Sequence, residues 1–545
     1  MMRPTDEQQA VIDAVHKGDN VVVQAAAGAG KTSTLRHACT GLPGPTLYLV
    51  YNKKAQTDAH KSFPKTVKCR TIHSVAYRAM APKLGGVGEL NDRLWGSHNR
   101  IPSWVAAKNL NVTQTLLIGD VKLTPSMIMR IACTTVERFC QSADTDIDDH
   151  HVPHQRGLPG LGDIARLKSE RDQHRAGGNH QLATEAHNLW ETALYTRKAF
   201  TDVVLPLARK VWDRLCVPGG RSVRFVPDHY LKMWQLTAPV LGYATVMLDE
   251  AQDSNPVTAS IVTSQHCQRV AIGDGFQQLY GWRGAVDALD SWPADQCLFL
   301  TQSWRFGQTI ADEANKWLRL MGTPLRVRGN PTLTSTVTTG TGRTPDAVLC
   351  RTNGGVIAQL LGYLEANVPV AVEGGVKALQ SFVRAADKLI QTGRCNHPDL
   401  DLFESWEQVQ EYAHTDEGAD LKVFTSLVDR YGCTTLARAL DSTTRSDRAR
   451  VTLSTAHKAK GAEWDTVRIH DDYPAPELKD GKRPRPSRAD SMLGYVAVTR
   501  ARRHLDRTGL AWIDDIPASR PGAEEHIPAS TPVPPDEPHE QLALL

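Results

Sequence analysis

The stretch "QAAAGAGKTS", Gln24 to Ser33, decides the fold. A strict phosphate-binding loop reads G-x-x-x-x-G-K-[ST]. Gly30, Lys31 and Thr32 fit it, but Ala25 stands where the first glycine belongs. Val21, Val22 and Val23 form a β-branched run just ahead, and "KTSTLRHAC" behind reads as the start of a helix. Strand, glycine loop and helix is the context in which loop N–H groups and a helix N-terminus point at phosphates. Gly28 and Gly30 let the backbone approach closely. Lys31 can reach the β- and γ-phosphates, and the Thr32 hydroxyl can ligate Mg²⁺. Alanine at position 25 is tolerable if the residue there needs no positive φ. The plainer alternative is a glycine-rich turn with an incidental lysine.

A second stretch weighs against that alternative. "ATVMLDEAQD", Ala244 to Asp253, is a short apolar strand ending in two carboxylates. Asp249 is placed to hold the Mg²⁺ shell, and Glu250 to orient and deprotonate an attacking water. The competing reading has the two acids cap the following helix. Together the two motifs point to hydrolysis of ATP or GTP.

The 545 residues are 41% hydrophobic and 23% charged, ordinary for a globular protein of three or four domains. No run of 18 apolar residues offers a membrane span. The N-terminus lacks the layout of a signal peptide, so a cytoplasmic setting without membrane partners is expected. The ten cysteines include no C-x-x-C pair, which argues against a zinc ribbon, an iron–sulfur cluster or a disulfide framework. A net charge of +3 leaves nucleic acid open.

Further blocks follow in order: "LYLVYNKKAQTDAHKSFP" from Leu47, "CRTIHSVAYR" from Cys69, "AIGDGFQQLYGWRGA" from Ala271 and "LTQSWRFG" from Leu300. "VTLSTAHKAKGAEWDTV" from Val451 and "GYVAVTRARRHL" from Gly494 complete the set. The chain resembles the UvrD/Rep group of superfamily 1 DNA helicases, and especially the helicase core of the F-box DNA helicases. Helicases of this group commonly carry alanine at the first loop position, so Ala25 is no defect. The resemblance implies an α/β fold with two RecA-like motor domains, parallel sheets flanked by helices. It implies ATP and Mg²⁺ as the nucleotide and its ion, with single-stranded DNA and DNA junctions as partners.

Residue by residue, it implies a nucleotide site formed by Gln8, which reads adenine, and the loop Ala27, Gly28, Ala29, Gly30, Lys31, Thr32 and Ser33. Trp304 would stack on the adenine and Glu463 would bind the ribose. Catalysis would rest on Lys31, Asp249 and Glu250, with Gln277 sensing the γ-phosphate and Arg305 and Arg500 reaching it from the second motor domain. Thr32 and Asp249 would hold the metal. For DNA it implies aromatic stacking by Tyr280 and Trp282, with Arg283 linking the DNA and nucleotide sites. Thr71, His73, Thr455 and His457 would contact the backbone. Many relatives have an aromatic two residues before the asparagine of "YNKKA". Here that position is Val50, and Tyr51 beside Asn52 would take over the contact.

The motifs divide the chain into a first motor domain, residues 1–85 and 195–290, holding an inserted subdomain, 86–194. A second motor domain, 291–360 and 446–515, holds a short insertion, 361–445. "PSMIMRIACTTVERFCQ" in the first insertion is helix-prone, and "DTDIDDHHVPH", Asp144 to His154, reads as a solvated loop. Residues 516–545 are rich in proline and acids, a composition of disorder. Their ending "QLALL", Gln541 to Leu545, resembles the peptides by which bacterial proteins bind the sliding clamp, which suggests a bacterial or phage-infected cell. The chain begins at the adenine-reading motif, so neither an F-box nor ubiquitin-ligase assembly is expected.

The expectation is an ATP-dependent DNA helicase moving 3′ to 5′ on single strands, in replication, recombination or repair. Two rivals stand beside it: a translocase that strips bound proteins with little unwinding, and a nucleic-acid-binding protein switched by ATP.

Overall fold

The computed structural model describes residues 3–516 apart from 97, 98, 100, 279–288, 290, 291, 341, 342, 398, 402, 414–418 and 479–482. Tyr280, Trp282, Arg283 and the peptide Gln541–Leu545 lie outside the described residues.

The valine run is strand β1 (Val21–Ala25), followed by β2 (Thr46–Val50) and β3 (Val67–Thr71). A small antiparallel hairpin, β4 (Leu116–Ile118) and β5 (Val121–Leu123), lies in the first insertion. The chain then returns with β6 (Thr245–Asp249), β7 (Gln268–Gly273) and β8 (Gln296–Leu300). These build a six-stranded sheet of order β3-β2-β6-β7-β1-β8, with every pairing parallel. A parallel sheet covered by helices on both faces buries its strands entirely, which is why β1, β2 and β6 read as near-continuous apolar runs. Because all six strands run the same way, their C-terminal ends share one edge, where ligands bind in open α/β sheets.

The second sheet uses β9 (Thr336–Thr338), β10 (Ala347–Cys350), β11 (Val370–Val372), β12 (Val451–Thr455), β13 (Trp464–Ile469) and β14 (Ala501–Asp506). Its order is β11-β12-β10-β13-β14-β9, again wholly parallel. Two parallel α/β sheets match the expected fold class. Between them the helix Gln308–Leu320 packs on the helix Arg488–Val498. There a Cβ at Gly494 would lie 2.6 Å from the Trp317 ring, so only glycine permits this approach. One buried apolar cluster continues through this contact and holds residues of both sheets, Val21 and Val23 with Leu349 and Val467.

Three expected boundaries shift. Strand β8 pairs with β1 from Val21↔Gln296 to Ala25↔Leu300, so the first sheet extends past residue 290. The helix His180–Cys216 runs through the boundary set at 194/195 as one element. Strand β11 and the helix Asn353–Glu365 accompany the second sheet, which leaves the helices from Lys377 to Asp441 as its insertion. "PSMIMRIACTTVERFCQ" is the helix Pro125–Gln141, capped by Thr124, whose hydroxyl accepts from the Met127 amide at 3.4 Å.

The acid–histidine loop is exposed at Asp144–Asp146, Asp148, His150 and His154, as expected of a solvated loop, but it is anchored at Ile147, His151 and Val152. His151 is 2% exposed, and its Nδ1 accepts the Asp148 amide at 3.0 Å. Two buried cations, Lys232 and Arg197, and the exposed Arg209 tie the loop down. Lys232 donates to the carbonyls of Ser142 and Asp144, Arg209 to that of Ile147, and Arg197 pairs with Asp149 at 2.7 Å. His150 and His151 both approach the Asp144 carboxylate, at 2.8 and 3.0 Å. With Nδ1 of His151 accepting a backbone N–H, its Nε2 carries the proton and has no lone pair for a metal.

Among the described residues no helix is long and apolar enough to cross a membrane. All ten cysteines are free thiols.

Candidate nucleotide and nucleic-acid site

Ala25 is the last residue of β1, paired with Leu300, so it is extended and needs no glycine. The glycines further along the loop are the ones under constraint. Gly28 has φ +73°, and a Cβ there would lie 2.7 Å from both Arg305 Cβ and Ser303 Oγ. Gly30 has φ +80° and opens the helix Lys31–Ala38. A Cβ on Gly30 would lie 3.1 Å from Gln8 Nε2 and 3.6 Å from Trp304 Cδ1, so the expected adenine reader and adenine stacker flank one turn of the loop. A capping box orients Gln8: its amide N–H donates to Thr5 Oγ1 and its Oε1 accepts from the Thr5 amide. The side-chain Nε2 therefore turns toward the loop.

Strand β6 delivers the two carboxylates. Glu250 has φ +52°, a left-handed conformation rare outside glycine and found at functional sites. It begins the short turn Ala251–Asp253 but makes no side-chain cap there, which removes the capping alternative. Its Oε1 instead lies 3.1 Å from Lys31 Nζ, and its Oε2 accepts from Gln252 at 2.7 Å. Asp249 Oδ2 accepts from Tyr48 OH and lies 3.5 Å from Thr32 Oγ1.

Burial alone would favour a neutral Lys31, but Glu250, Asp274 and Asp249 outweigh it and hold the ammonium above its usual pKa. Burial also opposes charge on Glu250. Lys31 and Lys460 prevail, and the carboxyl sits below its ordinary range. Burial and the neighbouring Glu250 push Asp249 upward. The Thr32 hydroxyl and the Asp249 carboxylate are hard oxygen donors that suit Mg²⁺.

Strand β7 leads to Asp274 and Gln277. Gln277 Nε2 donates to Asp274 Oδ2 at 2.7 Å, and its Oε1 accepts from Arg500 Nη2 at 3.0 Å. Arg500 follows the helix Arg488–Val498 just past its C-cap Thr499 and is 1% exposed; burial and the nearby Arg305 pull its pKa down. Arg305 was expected from the second motor domain. It sits instead on the segment leaving β8, an edge strand of the first sheet, and reaches the second lobe by donating to Glu463 Oε2 at 2.6 Å and to the Thr499 carbonyl at 3.1 Å. The expected ribose carboxylate, Glu463, is thus an arginine partner here.

The expected DNA residues lie at the same strand edges. Tyr51 follows β2 and is 44% exposed, and Asn52 caps the next helix through the Ala55 amide at 2.9 Å. Thr71 caps the helix Ile72–Met80 through the Ser74 amide at 3.2 Å, and His73 Nε2 lies 3.0 Å from Asp228. Thr455 ends β12 and His457 follows it, and both are buried; Thr455 Oγ1 accepts from the Lys458 amide at 3.3 Å.

The sequence reading passed over four residues that join the lobes. Lys460 pairs with Asp253 at 2.6 Å and also donates to the Gln277 carbonyl. Tyr495 OH accepts from the Ala27 amide at 3.1 Å and donates to Asp274 at 3.3 Å. Lys460 and Tyr495 lie inside quoted motifs, but nothing in the spacing marks them as bridges.

The chain matches the UvrD/REP helicase N-terminal domain over residues 234–289 and the UvrD-like helicase C-terminal domain over 379–506. F-box DNA helicase protein 1 of Schizosaccharomyces pombe is 27% identical over 547 residues, covering 92% of this chain and 57% of the relative. F-box DNA helicase 1 of Gallus gallus is 27% identical over 543 residues, covering 92% of this chain and 48% of the relative. The chain thus spans about half the length of the curated relatives it matches. A solved structure described as that of PRRSV helicase is similar at 13% identity, with a TM-score of 0.30 over 94% of this chain and 57% of that one. By these two matches, the chain is similar to the UvrD-like helicases over parts of both of their characteristic domains.

Proposed function

We propose that the chain is an ATP-dependent DNA helicase that uses ATP hydrolysis to move along single-stranded DNA, 3′ to 5′ by its resemblance. One observation carries the reading. The half-buried Lys31–Glu250 pair and the buried Gln277–Arg500 pair meet through Asp274, so residues of both lobes converge where the phosphate loop ends.

Each side chain has a task in that reaction. The loop amides and Lys31 bind the phosphates, while Gln8 and Trp304 take the adenine. Thr32 and Asp249 would hold Mg²⁺, which supplies charge neutralisation at the phosphates when bound. Glu250, an ionised base at neutral pH, orients the attacking water and accepts its proton. Arg305 and Arg500 stabilise charge developing on the transferred phosphoryl group, and both depend on the second lobe for their position. An ATP-switched binding protein would need no such hydrolytic set. DNA would track the edge formed by the residues after β2 and β3, and the resemblance adds Tyr280, Trp282 and Arg283 to the DNA contacts.

Strand displacement on duplexes with a 3′ or a 5′ single-stranded tail tests this, with Lys31→Ala as the inactive control. Displacement from the 3′-tailed duplex alone is expected, and displacement only from the 5′ tail would reverse the assigned direction. A protein-stripping translocase is the second reading, favoured by the compact insertion from Lys377 to Asp441. ATP-driven removal of a bound protein without strand separation would select it. Contact with a sliding clamp through Gln541–Leu545 is proposed as well; unchanged clamp affinity after deleting those five residues would end that idea.

A further inference from the structure

Tyr495 lies in the last turn of the helix Arg488–Val498, five residues before Arg500, which follows the helix's C-cap Thr499. Its ring is fully buried, and its hydroxyl crosses to the first lobe, where it uses both a donor and an acceptor position. As acceptor it takes the Ala27 amide, a main-chain N–H of the phosphate loop, at 3.1 Å. As donor it reaches Asp274 Oδ2 at 3.3 Å. The same Asp274 oxygen takes Gln277 Nε2 at 2.7 Å, and Gln277 Oε1 takes Arg500 Nη2 at 3.0 Å. From the loop the hydrogen bonds run through Tyr495, Asp274 and Gln277 to Arg500, whose Nε donates to the Val496 carbonyl beside Tyr495 and closes the ring. Thr499, between the two, accepts from Arg305 through its carbonyl and from Arg500 through its hydroxyl.

A tyrosine kept only for packing has no need of a hydroxyl so far from water. Buried without partners, that hydroxyl would cost roughly 1–3 kcal/mol, so its two contacts are a constraint on the lobes as much as on the ring. Burial and the neighbouring Asp274 carboxylate raise the pKa of the phenol and favour its neutral, proton-donating form. We infer that Tyr495 is a positioning residue that ties the phosphate loop to Arg500, so that the two move together when ATP is bound and hydrolysed. This rests on the proposed ATP hydrolysis and adds to it the element that couples loop and arginine. Tyr495 itself touches no reacting atom; it acts through Arg500.

The test uses the full chain, as wild type and as Tyr495→Phe, which removes only the hydroxyl. Amide hydrogen exchange without nucleotide reads the contact directly. Ala27 is expected to exchange at least about tenfold faster in the variant, with the amides of β10 and β12 unchanged. In ATP hydrolysis with single-stranded DNA present, kcat should fall by about tenfold while KM for ATP stays within about threefold. Combining Tyr495→Phe with Arg500→Ala should give a rate no lower than Arg500→Ala alone, because one acts through the other. Unchanged Ala27 exchange, an unchanged kcat, or losses that multiply in the double variant would each overturn the inference. If Tyr495→Phe loosens β10 and β12 as well, Asp274→Asn interrupts the ring at its next member and must reproduce the kcat loss. A wild type that does not hydrolyse ATP would defeat the proposed function, while the exchange result would still decide whether Tyr495 holds the loop.

Discussion

Lys460 Nζ lies 2.6 Å from the Asp253 carboxylate, and these two almost fully buried charges join the second lobe to the segment after β6. Burial pushes the Asp253 carboxyl up to about 6, against the pull of Lys460. Removing one member of a buried pair leaves the other uncompensated, typically at about 3–5 kcal/mol. Lys460→Met should therefore lower the denaturation midpoint substantially, and Lys460→Met with Asp253→Leu should recover most of the loss. Equal midpoints for Lys460→Met and wild type would mean that the pair does not hold the lobes.

Arg500 has its guanidinium satisfied by Gln277, Thr499 and the Val496 carbonyl, so its head is fixed where the second lobe meets β7. Arginines that stabilise a phosphoryl transition state contribute about 10³–10⁵ in rate. Arg500→Ala is expected to lower kcat by at least about a hundredfold with little change in ATP affinity, since the loop and Gln8 bind without it. Equal losses in affinity and in rate would make Arg500 a binding residue.

The loop glycines predict opposite outcomes at two positions. Gly28→Ala adds a Cβ at φ +73° that meets Arg305 and Ser303 at 2.7 Å, so ATP binding should fall by at least about tenfold. Ala25→Gly, which restores the strict motif, should improve nothing. It should cost about 0.5–1 kcal/mol of stability, because Ala25 is a buried strand residue. Nucleotide titration and thermal melts of the two variants check both.

His229 is buried, and its Nδ1 accepts the Val226 amide at 3.1 Å. Burial lowers its pKa to about 4, so the unfolded chain binds the extra proton first as pH falls below about 6.5. Stability is therefore kept above that pH and lost progressively toward pH 4, by roughly 3 kcal/mol in full. His229→Gln should melt less steeply than wild type between pH 7 and pH 5. Parallel melting curves would show that His229 does not titrate on unfolding.

Where sequence and structure agree, the signal was local. The valine run, the glycine loop and the apolar strand ending at Asp249 and Glu250 each carry their meaning in ten residues, and all three stand as read. The boundary at residue 290 failed because β8 joins the first sheet only through pairing with β1, far back in the chain. The anchoring of the acid–histidine loop could not be read locally, because the cations that hold it, Lys232, Arg197 and Arg209, come from other elements. Tyr495 and Lys460 escaped notice for the same reason. Their partners lie 468 and 207 residues away, a separation at which no spacing rule operates.

The most direct test of the central claim is the rate of ATP hydrolysis by the full chain with and without single-stranded DNA, in wild type and Lys31→Ala. Stimulation by DNA of at least about tenfold, abolished by Lys31→Ala, is the predicted result. A wild-type rate that DNA does not change would contradict the motor, whatever the fold.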